Sequence, residues 1–227
     1  MLNNLLSLFT IIDDNASSEF MWVSVISLIA LIVILACIII FRKDLTTKTL
    51  AFSGLTIAAS FALSYLKFSP VTYGGSVTLA SMLPICIFAY VFGLAPALLT
   101  GLIYGLLQFI QNPYIFNYAT FFLDFLLAFS SISMMSVSKM IFKDKKYTPI
   151  IGLSFVYLVR FLFHFLSGLI YFDNGGIWAN LPQDNAFIYS FLYQITYLAP
   201  DFAINLAVLI PLCATSKFTT LTNFMKK

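Results

Sequence analysis

The chain has 227 residues, of which 61% are hydrophobic, 17% aromatic and only 9% charged, and its mean hydropathy is +0.97. Because about a quarter of the residues in a soluble domain are charged, this composition excludes a water-soluble globular protein. The net charge of +3 is too small and too scattered to indicate a nucleic-acid partner. The composition therefore predicts an all-α integral membrane protein.

Seven apolar segments predict membrane-spanning helices, since one span needs about 20 apolar residues. The first segment runs from about Phe20 to Phe41; it is too long for the apolar region of a signal peptide and has no cleavage site. The others follow in chain order at about 46–66, 76–92, 94–111, 115–142, 148–172 and 187–214.

The basic residues predict how these helices are oriented, because cytoplasmic loops carry an excess of Lys and Arg. If the N-terminus lies outside, ten of the twelve cations fall inside, Lys67 falls outside and Arg160 lies within a span. The longest outer linkers, 69–75 and 173–186, are rich in Gly, Pro and aromatic residues. Such loops at the mouth of a bundle suit a lid over a ligand.

Two ionisable residues are predicted near the middle of the bilayer, where charged side chains are costly and often functional. With a rise of 1.5 Å per residue, Arg160 lies about 18 Å from the inner end of its helix, and Asp201 about 21 Å from the outer end of its own. Their opposite signs favour a structural ion pair between two helices. A proton or substrate relay is the alternative.

A second polar group is predicted in the outer half of the bundle, around Asp124 and the single histidine, His164. A carboxylate among aromatic rings can hold an organic cation by charge pairing and cation–π contact. The alternative is a hydrogen bond that merely joins two helices. The other candidates at this depth are Gly168, Tyr189, Tyr193 and Gln194.

Small residues recur every fourth position at Gly54, Ala58 and Ala62, which places them on one face of a helix. Gly101 and Gly105 form a second such pair. Each stripe allows a close approach of another helix, either within this bundle or from a partner.

The sequence gives no sign of an active site. It has no phosphate-binding Walker loop, no HExxH motif, and no GxSxG context around its membrane serines. Its three cysteines, Cys37, Cys86 and Cys213, lie in apolar segments without metal-ligand or disulfide spacing. The prediction is a protein that is not an enzyme and has neither a metal site nor a cofactor.

Five stretches, read in order, resemble the thiamin-specific S component of energy-coupling factor (ECF) transporters. They cover about residues 46–215 and comprise GGSVTLASMLP at 74–84, GLIYGLLQ at 101–108 with PYI at 113–115, LDFLLAF at 123–129, HFLSG at 164–168 and LYQ at 192–194.

This resemblance implies a six-helix bundle in the bacterial cell membrane that binds thiamin from outside, beneath a loop lid. Such a subunit hydrolyses no ATP itself. It works with a membrane T component and two cytosolic ATPases, and is thought to topple in the membrane to release the vitamin.

The resemblance also implies roles for individual residues. The stripe of Gly54, Ala58 and Ala62 falls where the family docks its T component. The loop aromatics Tyr73, Phe172 and Trp178 are candidates for stacking on the ligand. The family's ligand-binding positions fall on Asp124, His164, Gly168, Tyr189 and Gln194, with Tyr193 beside them.

Three departures from the family pattern keep alternatives open. Gln194 replaces Asn, and Phe125 and Leu126 replace Tyr and Pro. The helix at about 20–41 has no counterpart, which predicts an added segment at 1–45 before a six-helix bundle at 46–227. An S component for another small vitamin or precursor, and a non-transporting membrane scaffold, are the alternatives to thiamin transport.

Overall fold

We describe the protein from a computed structural model. The described residues are 18–40, 42–70, 75–113, 118–173, 181, 184–215 and 217–226. They form an all-helical bundle with one short β-hairpin at the predicted lid, which confirms the predicted fold class.

Eight helices are present within these residues. In chain order they are α1 Ser18–Ile40, α2 Thr47–Ser64, α3 Leu83–Phe92, α4 Leu94–Gln111, α5 Tyr118–Phe142, α6 Thr148–Asp173, α7 Ala186–Ala214 and α8 Lys217–Lys226, with a 3₁₀ turn at Arg42–Asp44 between α1 and α2. Among the described residues, α4, α5, α6 and α7 are long and apolar enough to cross a membrane, and the apolar parts of α1 and α3 are shorter.

The predicted helix over 76–92 is wrong in its first part. Strand β1 (Lys67–Pro70) pairs antiparallel with β2 (Ser76–Thr78), and α3 begins only at Leu83, with Pro84 in its first turn. The backbone of 76–78 makes sheet hydrogen bonds instead of helical ones, so this segment belongs to the lid. The apolar run had hidden the strand, because three residues are too few to show an alternating pattern.

Helix α5 carries Asp124 on an irregular stretch of backbone. Phe122–Leu127 form a π-helical turn, and Ser131–Ser133 form a 3₁₀ turn further along. Single π turns inside α-helices are rare overall, and those that occur often lie at functional sites. Helix α4 packs closely here, because a Cβ atom at Gly105 would overlap the carbonyl oxygen of Phe125. The glycine pair of α4 thus packs inside the bundle.

Helix α1 packs against the same π turn. Its Ala30 and Ile34 pack with Leu123 and Leu127, while its Ile38 packs with Leu126 and with α4. Leu126, one of the departures from the family pattern, therefore faces α1. The division of the chain at residues 45 and 46 stays a prediction.

The small-residue stripe on α2 faces outward. Gly54, Ala58 and Ala62 are all exposed, and a Cβ atom at Gly54 would meet nothing within 4 Å. The opposite face of α2 packs on α4, where Ser53 Oγ and Thr100 Oγ1 share a hydrogen bond of 2.8 Å. Because α2 is held by its polar face, its small residues remain open to a partner helix.

The predicted Arg160–Asp201 ion pair is wrong. Asp201 is buried, and its oxygens accept hydrogen bonds from Thr78 N (3.0 Å), Thr78 Oγ1 (2.9 Å) and Tyr157 Oη (2.5 Å). Arg160 donates instead to His164, and neither residue has a further charged partner in the described part of the chain. Strand β2 brings its own donors to Asp201, so α7 is tied to the lid and to α6 without a cation.

We expect Asp201→Asn to destabilise the protein by about 2 kcal/mol, because hydrogen bonds to a buried charge contribute about 1.5–3 kcal/mol each and the new amide would face a donor. Arg160→Gln should cost much less, and the two effects should add. Thermal unfolding of both single variants and the double variant in detergent measures this. If the double variant were more stable than Asp201→Asn alone, the result would show that Arg160 and Asp201 do form an ion pair.

Candidate substrate-binding site

A polar cavity lies at the lid end of the bundle, between α4, α5, α6 and α7. The cavity volume open to a water-sized sphere is about 120 Å³. Five of the predicted site residues line it, namely Asp124, His164, Gly168, Tyr193 and Gln194. The other described lining residues include Lys67, Gly75, Gln108, Gln111, Asn112, Phe125, Phe129, Arg160, Ser167, Tyr171 and Tyr197.

The centre of the site is a hydrogen-bonded group that joins α5 to α6. His164 Nδ1 lies 2.7 Å from Asp124 Oδ1, and Ser167 Oγ donates to Asp124 Oδ2 over 2.5 Å. The side chain of Asp124 is 28% exposed, whereas that of His164 is 10% exposed. The carboxylate is therefore fixed by two protein donors and still faces the cavity.

Arg160 extends this group by one turn of α6. Its Nε donates to His164 Nε2 over 3.3 Å, and its guanidinium carbon lies 4.7 Å from the centre of the Phe129 ring. Because Nε2 accepts this bond, the imidazole proton lies on Nδ1, where it is donated to Asp124. Arg160, His164 and Asp124 thus form a directed chain of hydrogen bonds from a cation to an anion.

The α7 side of the cavity is held by its own hydrogen bonds. Gln194 Nε2 donates to the backbone oxygen of His164 (3.0 Å), and Gln194 Oε1 accepts from Tyr197 Oη (2.5 Å). Tyr193 Oη accepts from the backbone N–H of Gly75 (3.0 Å). A Cβ atom at Gly75 would overlap the Tyr197 ring. The lid therefore meets α7 at a point where only glycine fits.

Gly168 also serves a close approach. A Cβ atom there would clash with Ser190 Oγ and would lie 3.2 Å from Gln194 Nε2. Glycine at this position lets α6 and α7 approach each other closely. Gly168 also lines the cavity.

Two other predicted site residues, Tyr189 and Phe172, are not among the described lining residues of the cavity. Tyr189 is fully buried, and its ring centre lies 5.1 Å from that of Phe172, so these two aromatics pack against each other. Tyr73 and Trp178 lie outside the described residues.

Sequence reasoning missed Ser167, Tyr197 and the position of Arg160. Each carries a signal in helical spacing, since residues three or four apart share a face. Ser167 follows His164 by three residues, Arg160 precedes it by four, and Tyr197 follows Tyr193 by four. This spacing reveals the shared faces, whereas depth along a helix alone does not.

A polar cavity within a bundle of helices long enough to cross a membrane is a feature of the solute-binding membrane proteins of transport systems. Comparison with known proteins identifies the family to which the chain belongs. Residues 50–221 match the family model described as Thiamine transporter protein (Thia_YuaJ). The chain therefore belongs to the thiamine transporter protein family; it is a multi-pass membrane transporter and not an enzyme.

Two relatives agree with this assignment. The thiamine transporter ThiT of Bacillus subtilis (strain 168) is 32% identical over 162 residues, which cover 66% of this chain and 80% of the relative. A solved structure of ThiT from Listeria monocytogenes superposes with a TM-score of 0.61 at 19% identity, covering 77% of this chain and 96% of that one. The structure shows a shared fold. The resemblance inferred from the sequence motifs is confirmed.

Proposed function

We propose that this protein binds thiamin as the S component of an ECF importer. The observation that carries the proposal is the Asp124 carboxylate, fixed by His164 and Ser167 and partly open to a cavity with aromatic walls. The family assignment and the sequence resemblance support the same substrate.

The chemistry of thiamin suits this cavity. Its thiazolium ring carries a permanent positive charge, which Asp124 can pair with, and its aminopyrimidine can both donate and accept hydrogen bonds. Tyr193 and Tyr197 offer ring faces for stacking or cation–π contact. The amide of Gln194 is hydrogen-bonded to the His164 backbone and to Tyr197, so its role is to position these residues. One N–H of the amide remains available to the ligand.

We extend the proposal to the membrane topology of the chain and to its partner subunits. The N-terminus lies outside the cell and the C-terminus inside, which places Lys67 and the cavity mouth at the outer surface and most cations in the cytoplasm. A T component and two cytosolic ATPases supply the energy, and the exposed stripe on α2 receives the T component.

A second substrate remains a candidate because of Phe125. This residue lines the cavity where the family has a tyrosine, so the site lacks one hydroxyl group. The departure at Leu126 has no such effect, because that side chain packs on α1. Another small vitamin or precursor is therefore the alternative, whereas membership of a transporter family argues against a scaffold without transport.

Thermal stabilisation of the purified chain by a panel of vitamins tests the substrate. A ligand at 100 times its Kd stabilises the native state by about 2.7 kcal/mol, so we expect thiamin to raise the Tm by several degrees. Mass spectrometry of protein purified without added vitamin identifies the retained ligand. Stabilisation by a different vitamin, with no response to thiamin, would contradict the proposal.

A further inference from the structure

Helix α1 is the part of the chain that the proposed function leaves without a role. It precedes residues 50–221, which match the family model, and none of its described residues lines the cavity. Within 25–40, its buried and half-buried residues recur every three or four positions and are Ser27, Ala30, Leu31, Ile34, Cys37 and Ile38. This spacing forms one helical face, so α1 packs on the bundle along a continuous stripe.

That face meets the two helices that form the polar centre of the site. Ile34 packs in a cluster with Leu123 and Leu127 of α5 and with Ile170 of α6. It also packs in a second cluster, which contains Leu126 of the π turn. Ile34 is the only described residue of α1 that belongs to both clusters. Helix α1 therefore spans the junction of α5 and α6, which hydrogen bonds join on the cavity side.

The π turn depends on the packing around it because its backbone departs from the α-helix. The N–H of Ala128 donates to the oxygen of Leu123, which lies five residues earlier instead of four. Because α-helical bonding is the usual alternative and π turns are rare, the neighbouring elements select this backbone. Helix α4 contributes a close approach, since a Cβ atom at Gly105 would overlap the oxygen of Phe125. Helix α1 contributes the apolar contacts of Ile34.

The direction of the Asp124 carboxylate depends on this turn. Asp124 directly follows Leu123 and precedes Leu127 by three residues, so packing of the two leucines against α1 sets the rotation of the turn. The carboxylate faces the cavity instead, where His164 Nδ1 lies 2.7 Å from Oδ1 and Ser167 Oγ lies 2.5 Å from Oδ2. A binding group must be held within about 0.5 Å of its working geometry by the residues that support it.

We propose that α1, acting through Ile34, is a positioning element that holds the Asp124 carboxylate in place for a cationic ligand. The inference rests on the proposed function, because it takes Asp124 as the partner of the ligand charge. Ile34 is not among the described lining residues of the cavity, so it contributes to affinity through the π turn. The chain departs from the family pattern at the same place, since Leu126 replaces proline and packs in a cluster with Ile38 of α1.

Calorimetry with thiamin on the purified full chain compares two isoleucines of α1. Ile34→Ala removes packing from the π turn, and we expect it to weaken thiamin binding about fivefold, as found for residues that act on a ligand site without touching it. Ile32→Ala makes the same change at a position that is 56% exposed and should retain the affinity of the unmodified protein. Ile34→Val removes one methyl group and should weaken binding in the same direction, and it replaces Ile34→Ala if that variant does not fold.

A double variant separates positioning from a general loss of packing. In Asp124→Asn the charge that Ile34 positions is absent, so adding Ile34→Ala should lower the remaining thiamin affinity by less than about twofold. A general loosening of the bundle would instead multiply the two effects, because the free energies of independent changes add.

The outcomes separate this inference from the proposed function. If the unmodified protein does not bind thiamin, the proposed function fails. If it binds thiamin and the Ile34 variants bind as tightly as Ile32→Ala, α1 does not position Asp124 and the proposed function stands. The same conclusion follows if the effects of the Ile34 change and of Asp124→Asn multiply in the double variant.

Discussion

Asp124→Asn should weaken thiamin binding by about 2 kcal/mol or more, the scale for losing a buried charge partner, which corresponds to about 30-fold in Kd. Asparagine keeps the size of the side chain. Its Oδ1 can still accept from His164, and its amide can donate to Ser167, so the hydrogen-bonded group can survive while the charge is removed. The variant therefore isolates the electrostatic contribution of the carboxylate to ligand binding.

Isothermal titration with purified protein measures this loss, and Asp201→Asn provides the matched control. Asp201 is also a buried carboxylate fixed by hydroxyl and N–H donors, but it is not among the lining residues of the cavity. We expect that control to lower stability while it retains thiamin affinity. An unchanged affinity in Asp124→Asn would show that the carboxylate only joins α5 to α6.

The helices of this protein were largely predictable because a membrane span must satisfy its own backbone hydrogen bonds. The apolar segment at 94–111 matches α4 to the residue, and that at 148–172 ends one residue before α6 does. Helix α8 was missed because its ten residues, rich in Thr and Lys, are neither apolar nor long enough for a span. The hairpin was missed because its strands, of four and three residues, are too short to show an alternating pattern.

The site was predictable in part, and the reason is geometric. Counting residues along a helix gives the depth of a side chain, and this correctly brought Asp124 and His164 to one level. Depth does not give the direction in which a side chain points. Arg160 and Asp201 share a level, yet Arg160 points towards His164 on its own helix, and Asp201 points to the strand that carries Thr78. The π turn around Asp124 has no sequence signal that we recognise.

The small-residue stripe on α2 leads to the second prediction of large effect. Because Gly54, Ala58 and Ala62 are exposed while the polar face of α2 packs on α4, a bulky side chain on the stripe can be accommodated without disturbing the bundle. If the T component docks there, Ala58→Trp overpacks a tight helix–helix contact at a cost of about 1–3 kcal/mol, or about 5- to 150-fold weaker docking. We expect transport to fall towards background.

Uptake of labelled thiamin in cells that express the chain together with its partner subunits measures the effect, and titration of the purified variant measures binding. Binding should be retained, because Ala58 is not among the described lining residues of the cavity. Ala203→Trp places the same side chain on an exposed position of α7 and should support normal uptake. Normal uptake by Ala58→Trp would show that the T component docks on another face of the bundle. A loss of both uptake and binding would instead indicate that the tryptophan had distorted α2.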